Sequence, residues 1–204
     1  MTTQTKTAKK PAEPKPGVLK PGVLAGKAAL SKKHDAINQL VADHAKVKKL
    51  FKQFEKLADK DDIAGKTLIA NQICVELTVH ALAEEEVFYT AARKEIHDDD
   101  LLNEANIEHD SAKDLIAQIQ AMNPEDPMYD ARVTVLGEYI EHHVEEEETE
   151  MFPKVRKTKL DLAELDVELT ARKQALMAGM VASDGAINVA ALKTATQKAL
   201  ATKH

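Results

Sequence analysis

The sequence predicts an all-α protein whose central part is an antiparallel, up-down four-helix bundle. Three observations support this prediction. The composition is rich in Ala, Leu, Glu and Lys and only 3% aromatic, which favours helices. Apolar residues recur at steps of three and four in four successive segments. The connections between these segments are short, and short connections join antiparallel neighbours.

The breaks between segments give the approximate helix limits. The four helices are predicted near residues 34–58, 63–95, 99–122 and 128–150. The polar stretch ADKDD separates the first two, and HDDD supplies an N-cap and acidic first-turn residues for the third. The breaker NPEDP precedes the fourth. Two further amphipathic segments, near 160–180 and 186–200, are predicted either to pack on the bundle or to contact a second chain.

Composition divides the chain into three regions. Residues 1–33 are predicted to be a disordered basic arm, since they contain eight lysines, one acidic residue and the tandem repeat KPGVL-KPGVL. This arm is either a solubilising tail or an electrostatic tether to an acidic partner. Residues 34–157 are the predicted bundle, and residues 158–204 are a helical extension that could contact a homodimer mate or another protein. The bundle holds most of the acidic residues, which argues against nucleic-acid binding.

Cysteine content and hydropathy exclude several classes of protein. The single cysteine, Cys74, excludes a disulfide framework within the chain and a thiolate metal cluster. No apolar run approaches the roughly 20 residues that a membrane span needs. The N-terminus lacks the apolar stretch of a signal peptide. These features predict a cytoplasmic protein that does not engage a membrane.

Each predicted helix carries one histidine in the stripe that should face the core. These residues are His44, His80, His109 and His143. In the second and fourth helices a glutamate follows four residues later on the same face; these are Glu84 and Glu147. In the run HHVEEEETE, spacing alone also allows the pair His142 and Glu146. The apolar residues earlier in the fourth helix decide the phase, and they turn His143 and Glu147 inward.

The two halves of the bundle repeat one another. An offset of 63 positions places HALAEEEVFYTAARK on HVEEEETEMFPKVRK. That offset aligns His80 with His143 and Glu84 with Glu147, and an offset of 65 aligns His44 with His109. Each half is therefore a histidine followed by a His-x-x-x-Glu pair, and the two halves should face each other across a pseudo-twofold axis.

The convergence of these six residues predicts a metal site. A buried carboxylate without a partner costs several kcal/mol or takes up a proton. The stripes offer no arginine or lysine as a partner, so the simplest compensation is a metal; the alternative is a satisfied polar network. Imidazole and carboxylate ligands suit iron, manganese or zinc. Two glutamates on opposite helices could bridge two cations, each of which would also take two histidines.

The chain resembles the hemerythrin-like, or HHE cation-binding, family through ADHAKVKKLF, HALAEEEVFY, IEHD and HHVEEEETEMFP. The resemblance covers residues 34–157 and is closest to bacterial members with four histidines and two glutamates. It implies a non-haem di-iron centre with oxo or hydroxo bridges, rather than zinc or manganese. The ligands that it implies are His44, His80, Glu84, His109, His143 and Glu147. Oxygen-carrying members use a fifth histidine, and this chain has Lys113 at that place.

The function implied by the resemblance is binding of, or reaction with, a small oxidant such as oxygen, peroxide or nitric oxide, in stress response or sensing. Whether the protein turns over a substrate is left open. The alternatives are a metal-dependent sensing or interaction module and a metal-buffering protein. Two residues could support the site. Tyr139 could hydrogen-bond a bound ligand or be a half-buried bundle tyrosine, and Glu76 could orient His80 or face solvent.

Overall fold

The computed structural model describes residues 34–182 and 185–201; the predicted N-terminal arm lies outside these residues. Eight α-helices occur in the described ranges: α1 (Ala36–Ala58), α2 (Ile63–Ala83), α3 (Thr90–Ile96), α4 (Asp99–Ala121), α5 (Pro127–Glu146), α6 (Phe152–Val155), α7 (Leu162–Met180) and α8 (Val189–Ala201). Two π-helical turns each connect two consecutive α-helices without a loop: Glu84–Tyr89 links α2 to α3, and Glu147–Met151 links α5 to α6.

Aspartates begin each long helix of the bundle and also α7. The Asp35 side chain accepts a hydrogen bond from the Asn38 amide at 2.8 Å, and Asp62 accepts one from Gly65 at 2.9 Å. Equivalent caps start the later helices; these are Asp98, Asp126 and Asp161. Each cap satisfies an amide that has no partner within its helix. The cap sequence therefore fixes where the rods of the bundle begin.

The helices form four rods: α1, the continuous α2–α3 segment, α4, and the continuous α5–α6 segment. Short loops connect them, so successive rods run antiparallel. The prediction of an all-α four-helix bundle is confirmed. Helix α7 packs across α1, α2 and the first π-helical turn, while α8 packs against α4 and α2. No helix in the described ranges combines the length and apolarity needed to cross a membrane.

Two apolar clusters fill the bundle, one on each side of a polar layer. One cluster includes Phe54, Ile73, Ile116 and Leu136. The other includes Leu40, Phe88, Leu102, Met151 and Phe152. The extra helices seal both clusters, because α7 contributes to each and α8 contributes to the first. The polar layer between them contains the histidines and glutamates that the sequence pattern turns inward.

Candidate metal centre

Four histidines and two glutamates meet in the polar layer and form what we call the central cluster: His44, His80, Glu84, His109, His143 and Glu147. Each rod supplies one histidine, and the exposed fraction of every member is 7% or less. The inward phase of the fourth rod is visible here, since the side chain of His143 is 3% exposed and that of His142 is 64% exposed. All six residues singled out by the sequence therefore lie together.

The central cluster divides into two groups of three possible ligands. In each group the ligand atoms lie within 4.8 Å of one another. The His44 position consists of His44, His80 and Glu147, and the His109 position consists of His109, His143 and Glu84. Each glutamate thus belongs to the group opposite the histidine that precedes it by four residues. The donors are nitrogen and oxygen only, the set that suits iron, manganese or zinc.

Both glutamates lie between the two groups. The Glu84 Oε2 atom is 3.0 Å from His80 Nε2 and 3.7 Å from His109 Nε2. The Glu147 Oε2 atom is 3.3 Å from His44 Nε2 and 3.5 Å from His143 Nε2. A carboxylate in this place can contact a cation at either position. The pseudo-twofold arrangement expected from the sequence repeat is therefore present in the contacts.

Four further acids hold the outward nitrogens of the histidines; we call them the outer carboxylates. The Nδ1 atoms pair as follows: His44 with Glu148 at 2.8 Å, His80 with Asp43 at 3.5 Å, His109 with Glu85 at 2.8 Å, and His143 with Glu108 at 2.7 Å. Because a carboxylate accepts, each Nδ1 carries a proton, so the Nε2 atom of each ring faces inward and is available to a cation once it is deprotonated. Carboxylates in this place fix the orientation of metal-binding histidines.

The outer carboxylates were not among the residues predicted from the sequence, although the repeat aligns them in pairs. Asp43 and Glu108 each directly precede a cluster histidine and align at the offset of 65. Glu85 and Glu148 each directly follow a cluster glutamate and align at the offset of 63. Each reaches a histidine on a different rod, so the phase of a single helix does not reveal the pairing.

Tyr89 was also missed, and it contacts the cluster directly. Its hydroxyl donates to Glu147 Oε1 at 2.7 Å, and its ring stacks on His109 with centroids 5.4 Å apart. Burial, followed by the charge of Glu147, raises the pKa of Tyr89, so its hydroxyl stays protonated. The aligned residue in the other half, Phe152, stacks on His44 at 5.9 Å and has no hydroxyl. This difference breaks the pseudo-twofold symmetry of the cluster.

Tyr139 and Glu76, the two supporting residues suggested by the sequence, lie elsewhere. Tyr139 is half-buried, and within the described part of the chain no hydrogen bond joins it to the central cluster. Glu76 pairs with Lys46, with 2.6 Å between Oε1 and Nζ. The residue that holds the outward nitrogen of His80 is Asp43 instead.

The inward atoms of the cluster lack hydrogen-bond partners. These atoms are His44 Nε2, His80 Nε2, both carboxylate oxygens of Glu84 and Oε2 of Glu147. In the other position, the Nε2 atoms of His109 and His143 are 3.1 Å apart. Two imidazole lone pairs at that distance repel, so either a proton or a metal cation must lie between these nitrogens. Buried nitrogen and oxygen atoms grouped in this way fit two divalent cations, one at each position, which would satisfy them after displacing the protons that the histidines hold.

In the metal-free cluster, the charged side chains shift one another's pKa values. Burial lowers the pKa of His80, but the carboxylates of Glu84 and Asp43 outweigh burial and raise that pKa to about 10. Burial raises the pKa of Glu147, but the charge of His143 and other histidines outweighs burial and holds this pKa well below its usual range. The cluster therefore retains a proton that a cation would displace.

A small cavity adjoins the cluster on one side. Its volume is about 20 Å³, and all four cluster histidines contribute to its lining. The opposite wall is mainly apolar and includes Val47, Leu77, Ile116 and Ile140. This space is close to that of one water molecule. A molecule of two or three atoms is therefore the size of ligand that reaches the cluster from this side.

Comparison with known proteins places the chain in a family. The family model of the hemerythrin HHE cation binding domain matches residues 35–155. The solved structure of a hemerythrin HHE cation binding domain-containing protein from Mycobacterium kansasii has the same fold, with a TM-score of 0.63 and 21% identity over 79% of this chain and 98% of that one.

A curated relative is a protein named DNA nickase from a Nostoc species. It is 35% identical over 114 residues, which make up 56% of this chain and 31% of the relative. The chain therefore spans about a third of the length of that relative. The family model alone matches more than half of the chain, and it describes a domain that binds cations. The chain belongs to the hemerythrin HHE cation-binding family and contains a metal-binding domain of that type.

Proposed function

We propose that the central cluster holds a di-iron centre that binds or reacts with a small oxidant: oxygen, peroxide or nitric oxide. One observation carries this proposal, namely the two adjoining groups of three buried nitrogen and oxygen ligands, each with its ligand atoms within 4.8 Å of one another, in which inward atoms of four residues lack hydrogen-bond partners. The His44 position and the His109 position would each take one iron. Iron in such a site supplies electrons to, or accepts them from, a small ligand at neutral pH.

The protein residues provide a fixed and asymmetric ligand set. The outer carboxylates hold the histidine rings, so little reorganisation is needed when a cation binds. Glu84 receives no well-aligned hydrogen bond and lies between His80 and His109, so its carboxylate would be available to a cation at either position. Tyr89 holds Oε1 of Glu147, so Glu147 presents one oxygen to the centre. The two glutamates align in the repeat, but only Glu147 accepts a hydrogen bond from a tyrosine, so they offer different numbers of oxygen atoms to a cation.

The cavity beside the cluster supports a small ligand over a larger substrate. Its volume of about 20 Å³ admits only a very small molecule, and its mainly apolar wall offers few groups that would hold water there. The acidic bundle makes a poor surface for nucleic acid, so the proposal does not carry over the activity named for the Nostoc relative. We propose a role in oxidative or nitrosative stress response, because these ligands are the oxidants that such a response removes or detects.

Consumption of oxidant by iron-loaded protein tests the proposed reactivity. Peroxide, nitric oxide and oxygen would be offered in turn, and their loss would be followed together with the visible spectrum. Glu84→Gln should abolish the consumption of oxidant and the spectral change, because it removes a carboxylate of the central cluster. The control is Glu146→Gln, which should keep both, since Glu146 pairs with His142 on the outer side of α5. Iron-loaded wild type whose spectrum ignores all three ligands would contradict the proposal.

A second candidate function, sensing without turnover, is favoured by a specific connection between the cluster and α7. Lys173 on α7 pairs with Asp43, and Asp43 holds His80. Arg172 pairs with Glu86 in the first π-helical turn. A change in charge at the cluster would therefore reach α7 through two ion pairs. The exposed side of α7, which includes Val167 at 68% exposure, could contact a second chain or another protein.

Amide hydrogen exchange separates this candidate from the first. Sensing predicts that oxidation of the loaded protein changes protection in residues 162–180 while added oxidant is not turned over. Turnover without any change in α7 protection supports the oxidant-reactive protein instead.

For either function we propose a cytoplasmic location, which suits a protein whose single cysteine, Cys74, is buried and has its pKa raised by burial to about 12.

A further inference from the structure

We infer that the two cation positions are inequivalent in their access to solvent: the His44 position exchanges its cation through a groove between α1 and α5, while Lys113 and Glu85 close the His109 position. The inference rests on the proposed dinuclear centre and goes beyond it, since it assigns different roles to two halves that the sequence repeat makes alike. It also gives a role to Lys113, a buried lysine beside the cluster.

Lys113 covers the carboxylate that holds His109. Its Nζ atom lies 2.7 Å from Glu85 Oε1 and 2.9 Å from Glu85 Oε2, and it also reaches Asp110 at 3.2 Å. Only 5% of the Lys113 side chain and 16% of the Glu85 side chain is exposed. Glu85 in turn pairs with His109 Nδ1 at 2.8 Å. Movement of the His109 ring therefore requires that a buried ion pair open first.

The corresponding residues in the other half leave their carboxylate open. Glu148, which aligns with Glu85, holds His44 Nδ1 at 2.8 Å, but 37% of its side chain is exposed. Lys48, which aligns with Lys113, turns outward to Glu141 at 2.6 Å and is 60% exposed. The same pair of residue types thus closes one half and leaves the other accessible.

The surface grooves differ in the same sense. A groove of about 720 Å³ between α1 and α5 reaches His44 itself and is also lined by Val41, Val144 and Glu148. On the opposite side, a groove of about 920 Å³ between the second and third rods ends at Glu85 and Lys113 and does not reach a cluster histidine. Ala199 of α8 contributes to the lining of the second groove, whereas the described residues that line the first groove all lie in the ranges 41–55 and 133–149.

The exposure of the cluster histidines agrees with this difference. His44 and His80, which belong to the His44 position, are each 7% exposed. His109 and His143, which belong to the His109 position, are each 2% exposed. The small cavity that all four histidines line has room for only about one water molecule, so a chelator can approach the cluster more closely through the groove at His44, and dissociation should follow the same order.

Release of metal to a chelator tests the inference without any measurement of activity. The full chain is loaded with ferrous iron in the absence of oxygen, its iron content is measured, and release to an excess of a coloured chelator is followed. The inference expects two phases of equal size, with the slower phase at least about tenfold slower, because one charge-assisted pair must open first. Glu148→Gln should accelerate only the fast phase, which assigns that phase to the His44 position.

The aligned lysines provide a matched pair of variants. Lys113→Met should bring the slow phase close to the fast phase, whereas Lys48→Met, at the lining of the open groove, should leave the slow phase unchanged. Lys113→Arg keeps the positive charge and should retain the slow phase. A slow phase that is lost in Lys113→Met but kept in Lys113→Arg therefore reflects the ion pair with Glu85 and not a failure to fold. A single phase at full loading, or a slow phase that survives in a folded Lys113→Met variant, overturns the inference alone. Loading well below two irons per chain overturns the proposed centre and this inference with it.

Discussion

Replacement of Tyr89 by phenylalanine should weaken the protein in a way that depends on metal. The Tyr89 hydroxyl is the only part of the side chain that the change removes, and it donates to Glu147 Oε1 at 2.7 Å. Tyr89 is 2% exposed and Glu147 is 1% exposed, so water does not readily replace the lost donor. The variant keeps the ring that stacks on His109 and therefore isolates the hydrogen bond.

The size of the effect follows from the charge of the acceptor. A hydrogen bond to a charged group contributes about 1.5–3 kcal/mol, and a buried acceptor left without a donor costs a similar amount. For a chain of this length, each kcal/mol moves the melting temperature by about 2–4 °C. The metal-free variant should therefore melt about 3–12 °C below the wild type. Metal loading should reduce this difference, because a cation can satisfy the freed oxygen.

Thermal unfolding followed by circular dichroism, with and without a chelator, measures both effects. Tyr139→Phe is the matched control, since Tyr139 is half-buried and has no hydrogen bond to the central cluster within the described residues. That control should change stability by no more than about 0.5 kcal/mol. Equal losses in the two variants, or no loss in metal-free Tyr89→Phe, would refute the role that we give to Tyr89.

Three further predictions concern the ligands. Glu147→Gln should lower metal content, whereas Glu146→Gln should leave it near that of the wild type; equal effects would mean that the phase of α5 is wrong. His143→Ala should reduce metal content far more than His142→Ala, because the His143 side chain is 3% exposed and the His142 side chain is 64% exposed. Metal content is measured by plasma emission on the purified variants, and a larger loss in His142→Ala would contradict the assignment. Because the pKa of His80 is raised to about 10 in the metal-free chain, metal binding at pH 7 should release protons and affinity should rise with pH; calorimetry in buffers of different ionisation enthalpy that finds no proton release would contradict this.

Much of the fold and the six candidate ligands could be predicted from the sequence, because each helix has a strong apolar phase. Steps of three and four place a histidine in every core stripe, and the repeat confirms which histidine and glutamate of the fourth helix turn inward. A buried side chain in such a stripe is determined by local periodicity. The aspartates at the helix starts are equally local, since each caps the turn that follows it.

The position of Tyr89 could not be predicted in this way. In a regular α-helix, residue 89 lies about 140° around the axis from Glu84, which would turn it away from the cluster. The π-helical turn Glu84–Tyr89 contains one additional residue, so that Tyr89 stacks over the same face as Glu84. The second π-helical turn begins at Glu147 and brings Phe152 onto His44 in the same manner. Turns of this kind often occur at functional sites.

The outer carboxylates and the closure by Lys113 depend on contacts between rods. Glu108 lies about 100° from His109 on its own helix, so helical phase separates the two residues. It instead accepts from His143 on the neighbouring rod at 2.7 Å. The position of Lys113 on its own helix likewise does not show that its ammonium group is buried or which carboxylate it contacts. Its burial follows from its pairing with Glu85 of another rod and from the packing of α8 beside it.

The metal content and the spectrum of protein purified in air show whether the central cluster holds two irons. The account predicts about two irons per chain, and charge-transfer bands in the near-ultraviolet and visible range that shift when azide is added. A shift on addition of azide would mean that a small anion reaches the iron. Zinc alone, or no bound metal even after anaerobic loading with iron, would contradict the account and leave the central cluster without the role in iron chemistry that we propose.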